Sequence, residues 1–251
     1  MIQFDFSGRS AVVTGAGGGM GEQIALGMAT SGCRVTAVDL KPCPESLAGL
    51  DNVVYVRGDL TDEAFVNRFS RDTHERTGRL DYLCNVAGVL WFDRDRSVFE
   101  IDLDVWDRVF DINLKSMVYT ARACTPLMKA SPGAGAMVHF STIQWMRGDP
   151  VPQDAYAASK AAVSAFSRSL AMQLAADGIR SNVICPGLSL TPMQARWDTE
   201  EVQNQVAKNI PLGRLGTPKD MANTAMFLLS DGAGFITGID VAVDGGLLLK
   251  S

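Results

Sequence analysis

Seven short runs of apolar and β-branched residues recur along the chain, separated in most cases by stretches with helical spacing. The runs occupy residues 9–14, 34–39, 53–56, 80–85, 136–141, 180–185 and 238–243. Helices are expected over residues 20–30, 62–76 (with Thr61 as N-cap), 104–129, 155–174 and 218–230. Strands that alternate with helices and are apolar almost throughout pair in parallel and are covered on both faces. The expected fold is therefore α/β: one doubly wound domain over residues 1–251 with a seven-stranded parallel sheet. No internal repeat, linker or low-complexity segment interrupts it.

Composition narrows the function. Hydrophobic residues make up 47% and charged residues 20%, which suits a packed core. A formal net charge of −5 argues against a nucleic-acid surface, which needs clustered Lys and Arg. No window of about eighteen uninterrupted apolar residues occurs, and no basic stretch followed by an apolar one opens the chain. A cytoplasmic protein without a membrane span is expected. Five scattered cysteines and two histidines, His74 and His139, offer no disulfide framework and no metal site.

Two local patterns carry chemistry. Thr14 to Gly21 reads TGAGGGMG between the first strand and the first helix. Glycines there let the backbone approach a pyrophosphate, which a helix N-terminus stabilises. Met20 stands where the general dinucleotide motif has its third glycine; the spacing met instead is T-G-x-x-x-G-x-G, through Gly15, Gly19 and Gly21. Asp39 closes the second strand, where a carboxylate can accept from an adenosine ribose. Tyr156 and Lys160 lie four apart on an alanine-rich helix, one turn from each other on one face. An ammonium there favours the phenolate and can draw a tyrosine toward proton transfer at working pH.

These motifs resemble those of the classical short-chain dehydrogenase/reductase family, and the likeness runs from about Phe6 to Leu248. Besides the glycine turn and Tyr156-x3-Lys160, the chain carries Asp59-Leu60, Asn85-Val86-Ala87-Gly88, Asn113-Leu114, Ser141-Thr142, Pro186-Gly187-x3-Thr191 and a tail ending Val243-Asp244-Gly245-Gly246. The resemblance implies a Rossmann-type fold, a nicotinamide cofactor and hydride transfer at a secondary alcohol or ketone. In that reading Gly15, Gly19, Met20 and Gly21 hold the diphosphate and Asp39 the adenosine ribose. Asp59 and Leu60 meet the adenine, and Asn85, Ala87 and Gly88 line the ribose side. Lys160 holds the nicotinamide ribose and lowers the tyrosine, and Asn113 distorts its helix and holds a water leading to the lysine. Thr191, with Pro186, Gly187 and Leu188, holds the carboxamide. Asp39, followed by Leu40, favours NAD, with Lys41 as a complication. No G-x-S-x-G supports a serine hydrolase, and the intact Tyr156, Lys160 and Asn113 argue against a cofactor sensor without chemistry. An NADPH-dependent ketone or 3-oxoacyl reductase is the alternative.

The donor that polarises the substrate oxygen is left open between Ser141 and Thr142. Strand register favours Thr142 and an unhindered hydroxyl favours Ser141, while the family's usual spacing to the tyrosine falls on Ile143. A departure at Val86 is structural, and His139 reads as a core residue rather than a base. The substrate is expected among Trp91, Gln144, Trp145, Met193 and Trp197, under a lid at about 188–210 that closes over it, though Trp91 and Trp197 could equally only pack that lid. Gln144 leans the reading toward a sugar, polyol or cyclic secondary alcohol. The family habit and the apolar Leu247-Leu248-Leu249 end imply a homotetramer, with a dimer second.

Overall fold

The computed structural model describes residues 4–194 and 196–250. Seven strands, β1 (Ser10–Thr14), β2 (Arg34–Asp39), β3 (Val53–Arg57), β4 (Tyr82–Asn85), β5 (Gly135–Phe140), β6 (Ile179–Pro186) and β7 (Asp240–Val243), form one sheet. Their order is β3-β2-β1-β4-β5-β6-β7 and every pairing is parallel. The helices are α1 (Gly19–Thr30), α2 (Glu63–Thr77), α3 (Leu103–Phe110), α4 (Ser116–Ala130), α5 (Gln144–Arg147), α6 (Asp154–Leu174), α7 (Glu200–Ala207) and α8 (Pro218–Leu229).

Strand periodicity sorts the core into two layers. In β1, Ala11 and Val13 pack with Ile24 and Met28 of α1 and Met221 and Leu228 of α8. Val12, between them, faces Phe65 and Phe69 of α2, Cys124 and Met128 of α4 and Leu174 of α6. The chain reverses its direction of travel across the sheet between β1 and β4. Loops leaving those neighbouring strands diverge there and open a crevice at the carboxyl ends.

Two expectations are corrected. The single helix over residues 104–129 is α3 and α4 joined by a π turn, Asp111–Lys115, in which the Ser116 N–H reaches the Asp111 carbonyl. Asp62, not Thr61, caps α2, its Oδ1 accepting from the N–H groups of Ala64 and Phe65 at 2.9 and 3.2 Å. Thr61 is drawn away because its N–H and hydroxyl both donate to Asp59 Oδ1, each at 2.8 Å.

Candidate active site

A cavity of about 410 Å³ occupies the crevice. The turn from β1 into α1 forms its floor. Gly15 has φ +70°, and a Cβ there would stand 2.7 Å from the Ala87 nitrogen; one on Gly21 would stand 2.1 Å from the Gly15 carbonyl oxygen. Backbone therefore lies where side chains would otherwise fill the cradle, and α1 starts without a side-chain cap. Those bare N–H groups suit a diphosphate. Asp39 braces the turn: Oδ2 accepts from the Gly17 N–H and Oδ1 from the Lys41 N–H, both at 2.9 Å. Farther along, Asp59 is bound by Thr61 and, at 3.4 Å, by Arg108. Burial acts to raise the Asp59 carboxyl, but these bonds outweigh it and hold the group below its usual value. Arg108 lines this end of the cavity on α3 and carried no motif signal.

Tyr156, Lys160 and Thr142 meet beside this cradle. Lys160 is 4% exposed and Tyr156 9%. The lysine Nζ donates to the Phe140 carbonyl at 2.9 Å and lies 5.9 Å from the tyrosine ring centroid. Burial pushes Lys160 down to about 8. It pushes the Tyr156 phenol up to about 12, against a hydrogen bond with Thr142. The expected lowering of the tyrosine by the ammonium is thus reversed, because desolvation acts on both groups and the lysine spends its hydrogen bond on a carbonyl.

The structure separates the two candidate hydroxyls. β5 ends at Phe140, and the Ser141 Oγ turns back to donate to the Lys160 carbonyl at 2.7 Å. Thr142, next in line, faces Tyr156. Adjacent residues of an extended segment point opposite ways, so only one hydroxyl reaches the tyrosine.

Asn113 sits wholly buried in the π turn and behaves as a strut. Its Oδ1 accepts from the Val89 N–H at 2.7 Å, and its Nδ2 donates to the Val89 carbonyl at 3.0 Å and to Ser159 Oγ at 3.1 Å. The turn after β4 is thereby tied to α6. Gly88 passes so close that a Cβ there would lie 3.1 Å from both Asn113 Oδ1 and Lys160 Nζ.

A second tie has no motif at all. The cap residue of α6, Gln153, offers no side-chain acceptor to its first turn. Asp95, 1% exposed and from the loop after β4, accepts instead from the N–H groups of Ala155 and Tyr156 at 3.1 and 2.8 Å. Asp154 returns the bond by accepting from Val98 N–H at 2.7 Å. The tyrosine's own backbone is thus held by a carboxylate that lies far from it in sequence.

Gly19, Met20, Leu60, Ala87, Pro186, Gly187, Leu188 and Thr191 all line the cavity, as expected. Asn85 does not. Its amide turns into the sheet, where Oδ1 accepts from Thr120 at 2.8 Å and Nδ2 meets His139 Nδ1 at 3.2 Å. His139 is fully buried and burial pushes it down to about 4, as befits a core residue. Of the expected substrate residues, Gln144 and Met193 line the cavity, whereas Trp91, Trp145 and Trp197 do not. Trp197 packs on Ile210 and Leu215 beneath the segment after Thr191, and Trp91 lies under Arg94, 4.5 Å from its ring centroid. Phe92, Arg147, Gln153 and Arg196 take wall positions instead, with Gln144 Nε2 donating to Gln153 Oε1 at 3.0 Å.

Comparison with known proteins finds relatives along nearly the whole chain. A family model described as "Enoyl-(Acyl carrier protein) reductase" matches residues 15–248. A "Probable short-chain type dehydrogenase/reductase" of Bradyrhizobium diazoefficiens is 37% identical, covering 97% of this chain and 88% of its own. The 2-(R)-hydroxypropyl-CoM dehydrogenase of Xanthobacter autotrophicus is 34% identical over 94% of this chain and 97% of its own. The solved aldohexose dehydrogenase of Thermoplasma acidophilum superposes with a TM-score of 0.89 at 26% identity, covering 99% of this chain and 97% of that one.

Replacing Asp95 by Ala leaves two buried N–H groups at the start of α6 without their acceptor, at a cost of about 1–3 kcal/mol. The melting temperature should fall by several degrees in calorimetry, at roughly 2–4 °C per kcal/mol for a chain of this size. An unchanged melting temperature would show that the cap contributes nothing.

Proposed function

Because the chain belongs to the classical short-chain dehydrogenase/reductase family, we propose that it is an NAD-dependent oxidoreductase interconverting a secondary alcohol and its ketone. The observation that carries this reading is the convergence of Tyr156, Thr142 and Lys160 on one cavity with the glycine turn. Family members act with a nicotinamide dinucleotide, and the residues present fit one. The α1 N-terminus and glycine backbone take the diphosphate, Asp39 the adenosine ribose, and Asp59 with Leu60 the adenine. Lys160 and Gly88 would hold the nicotinamide ribose, and Thr191 with the Leu188 backbone would hold the carboxamide; all four residues line the cavity. A bound nicotinamide would supply the acceptor for the hydride of the carbinol carbon.

The chain's own groups manage the proton. Thr142 donates to the substrate oxygen and holds it within reach of Tyr156, which takes the hydroxyl proton in oxidation and returns it in reduction. Ser141 keeps Lys160 in place through the α6 backbone. The polar pair Gln144 and Gln153 suits further hydroxyl groups on the substrate. A panel of secondary alcohols and ketones, followed by absorbance of the reduced nicotinamide, tests the reading. No turnover by wild type, or turnover undiminished in Tyr156→Phe, would reject it.

Four outcomes are expected. Thr142→Val should lose about 2.7–4 kcal/mol of transition-state stabilisation, about a hundredfold or more in rate, and Ser141→Ala far less. Equal losses in the two variants would reject the assignment.

Burial brings the Lys160 ammonium down to about 8 and pushes the Tyr156 phenol up to about 12. Tyr156 must shed its proton before it can take one from an alcohol, so alcohol oxidation should rise as pH rises, and without the lysine's charge the residual activity of Lys160→Met should rise only at higher pH. A flat profile between about pH 6 and 10 in the wild type would contradict the pairing.

The fixed Asp39 carboxylate repels a 2′-phosphate, so kcat/KM should favour NAD over NADP by at least roughly tenfold, about 1.4 kcal/mol. Preference for NADP would mean that Lys41, which also lines the cavity, dominates. Finally, Phe99, Leu103, Met172, Phe235 and Leu249 stand 72–105% exposed and suit burial between copies. A homotetramer is expected, and light scattering that gives a monomer at micromolar concentration would dismiss it.

A further inference from the structure

The substrate end of the cavity presents two guanidinium groups and no ion pair for either among the described residues. Arg147 ends α5, the short helix begun by Gln144, whose amide is bonded to Gln153 just before the tyrosine-bearing helix. Arg196 comes from the segment after Thr191. Its Nε donates to Gln194 Oε1 at 3.0 Å, and its guanidinium lies 4.2 Å from the Phe92 ring centroid and 5.5 Å from that of Trp197.

That setting prepares Arg196 for an anion. Two rings and one hydrogen bond hold the planar group before any ligand arrives, so little rotamer freedom is left to lose. The chain as a whole carries −5, which makes an unpaired cationic pair at one mouth a local reversal of the molecular charge. The cofactor's diphosphate does not account for it. The part of this segment over the glycine turn is Pro192, whose Cδ would lie 3.1 Å from a Cβ on Gly19, and Arg196 lies beyond it against Phe92. Asp149 also lines the cavity, its Oδ1 accepting from the Val151 N–H at 3.0 Å, and among the described residues it forms no ion pair with either arginine.

We propose that the substrate is a hydroxy acid whose carboxylate is gripped by Arg147 and Arg196 while its hydroxyl faces Tyr156 and Thr142; oxidation to the keto acid would pass the carbinol hydride to NAD and the hydroxyl proton to Tyr156. The proposal rests on the dehydrogenase reading and specifies its substrate. A guanidinium matches a carboxylate with two parallel N–H bonds, which an ester cannot draw with the same strength.

The test compares 2-, 3- and 4-hydroxy acids with their methyl esters, using the full chain and NAD. In the wild type the best acid should exceed its ester by at least about tenfold in kcat/KM, and the ratio should shrink as salt is raised. Arg147→Gln and Arg196→Gln should each cut the ratio by about tenfold, with Arg→Lys at either place keeping part of it. Both side chains are exposed, so the variants should fold, and retained NADH fluorescence enhancement would check this. Esters oxidised as well as acids, or a ratio that ignores both arginines, would overturn the carboxylate site alone. Failure of every acid and every ester would remove it together with the dehydrogenase reading.

Discussion

The Lys160 ammonium lies almost wholly out of water, with the Phe140 carbonyl at the end of β5 as its hydrogen-bond acceptor. Taking such a group out of water costs several kcal/mol unless its surroundings are arranged in advance. Much of what surrounds the site serves that arrangement. Ser141 binds the lysine's own carbonyl, Asn113 ties Val89 to Ser159, and Asp95 fixes the start of α6. Each contact crosses between elements, so strand β5, the turn after β4 and helix α6 hold the lysine as one unit. The low pKa of Lys160 and the high one of Tyr156 follow from the same burial. A proton is then held loosely by one partner and tightly by the other.

Charge also divides the cavity. Asp39 and Asp59 line the cavity, each held by backbone or side-chain donors that fix where the carboxylate points. Arg147 and Arg196 line it too, and neither has an ion pair among the described residues. Between them the wall changes from the bare backbone of the glycine turn to hydroxyl, amide and phenol groups. Fixed charges of opposite sign on one cavity wall favour ligand parts of different charge at different places.

Local signals were legible where the chemistry is local. The glycine turn is one unbroken stretch, Tyr156 and Lys160 are four residues apart, and helix geometry alone puts those two on one face. The tryptophans misled because bulk and apolarity do not distinguish a cavity wall from the packing behind it: Trp197 lies beneath the segment after Thr191, whereas Phe92 and two arginines reach the cavity. Thr61 misled for a related reason, since a better acceptor, Asp59, competed for it.

By itself the sequence determined the doubly wound sheet, the glycine turn and the placing of Tyr156 and Lys160 on one helix face. Those depend on periodicity and on spacings shorter than one helix, which any correct backbone reproduces. Tertiary structure alone decided that Thr142 rather than Ser141 faces the tyrosine, that Asn85 belongs to the sheet and not to the cavity, and that Asp95 caps α6. Asp95 and Tyr156 are 61 residues apart in the chain. Which distant group satisfies a buried N–H is set by how the layers pack, and no local pattern records it.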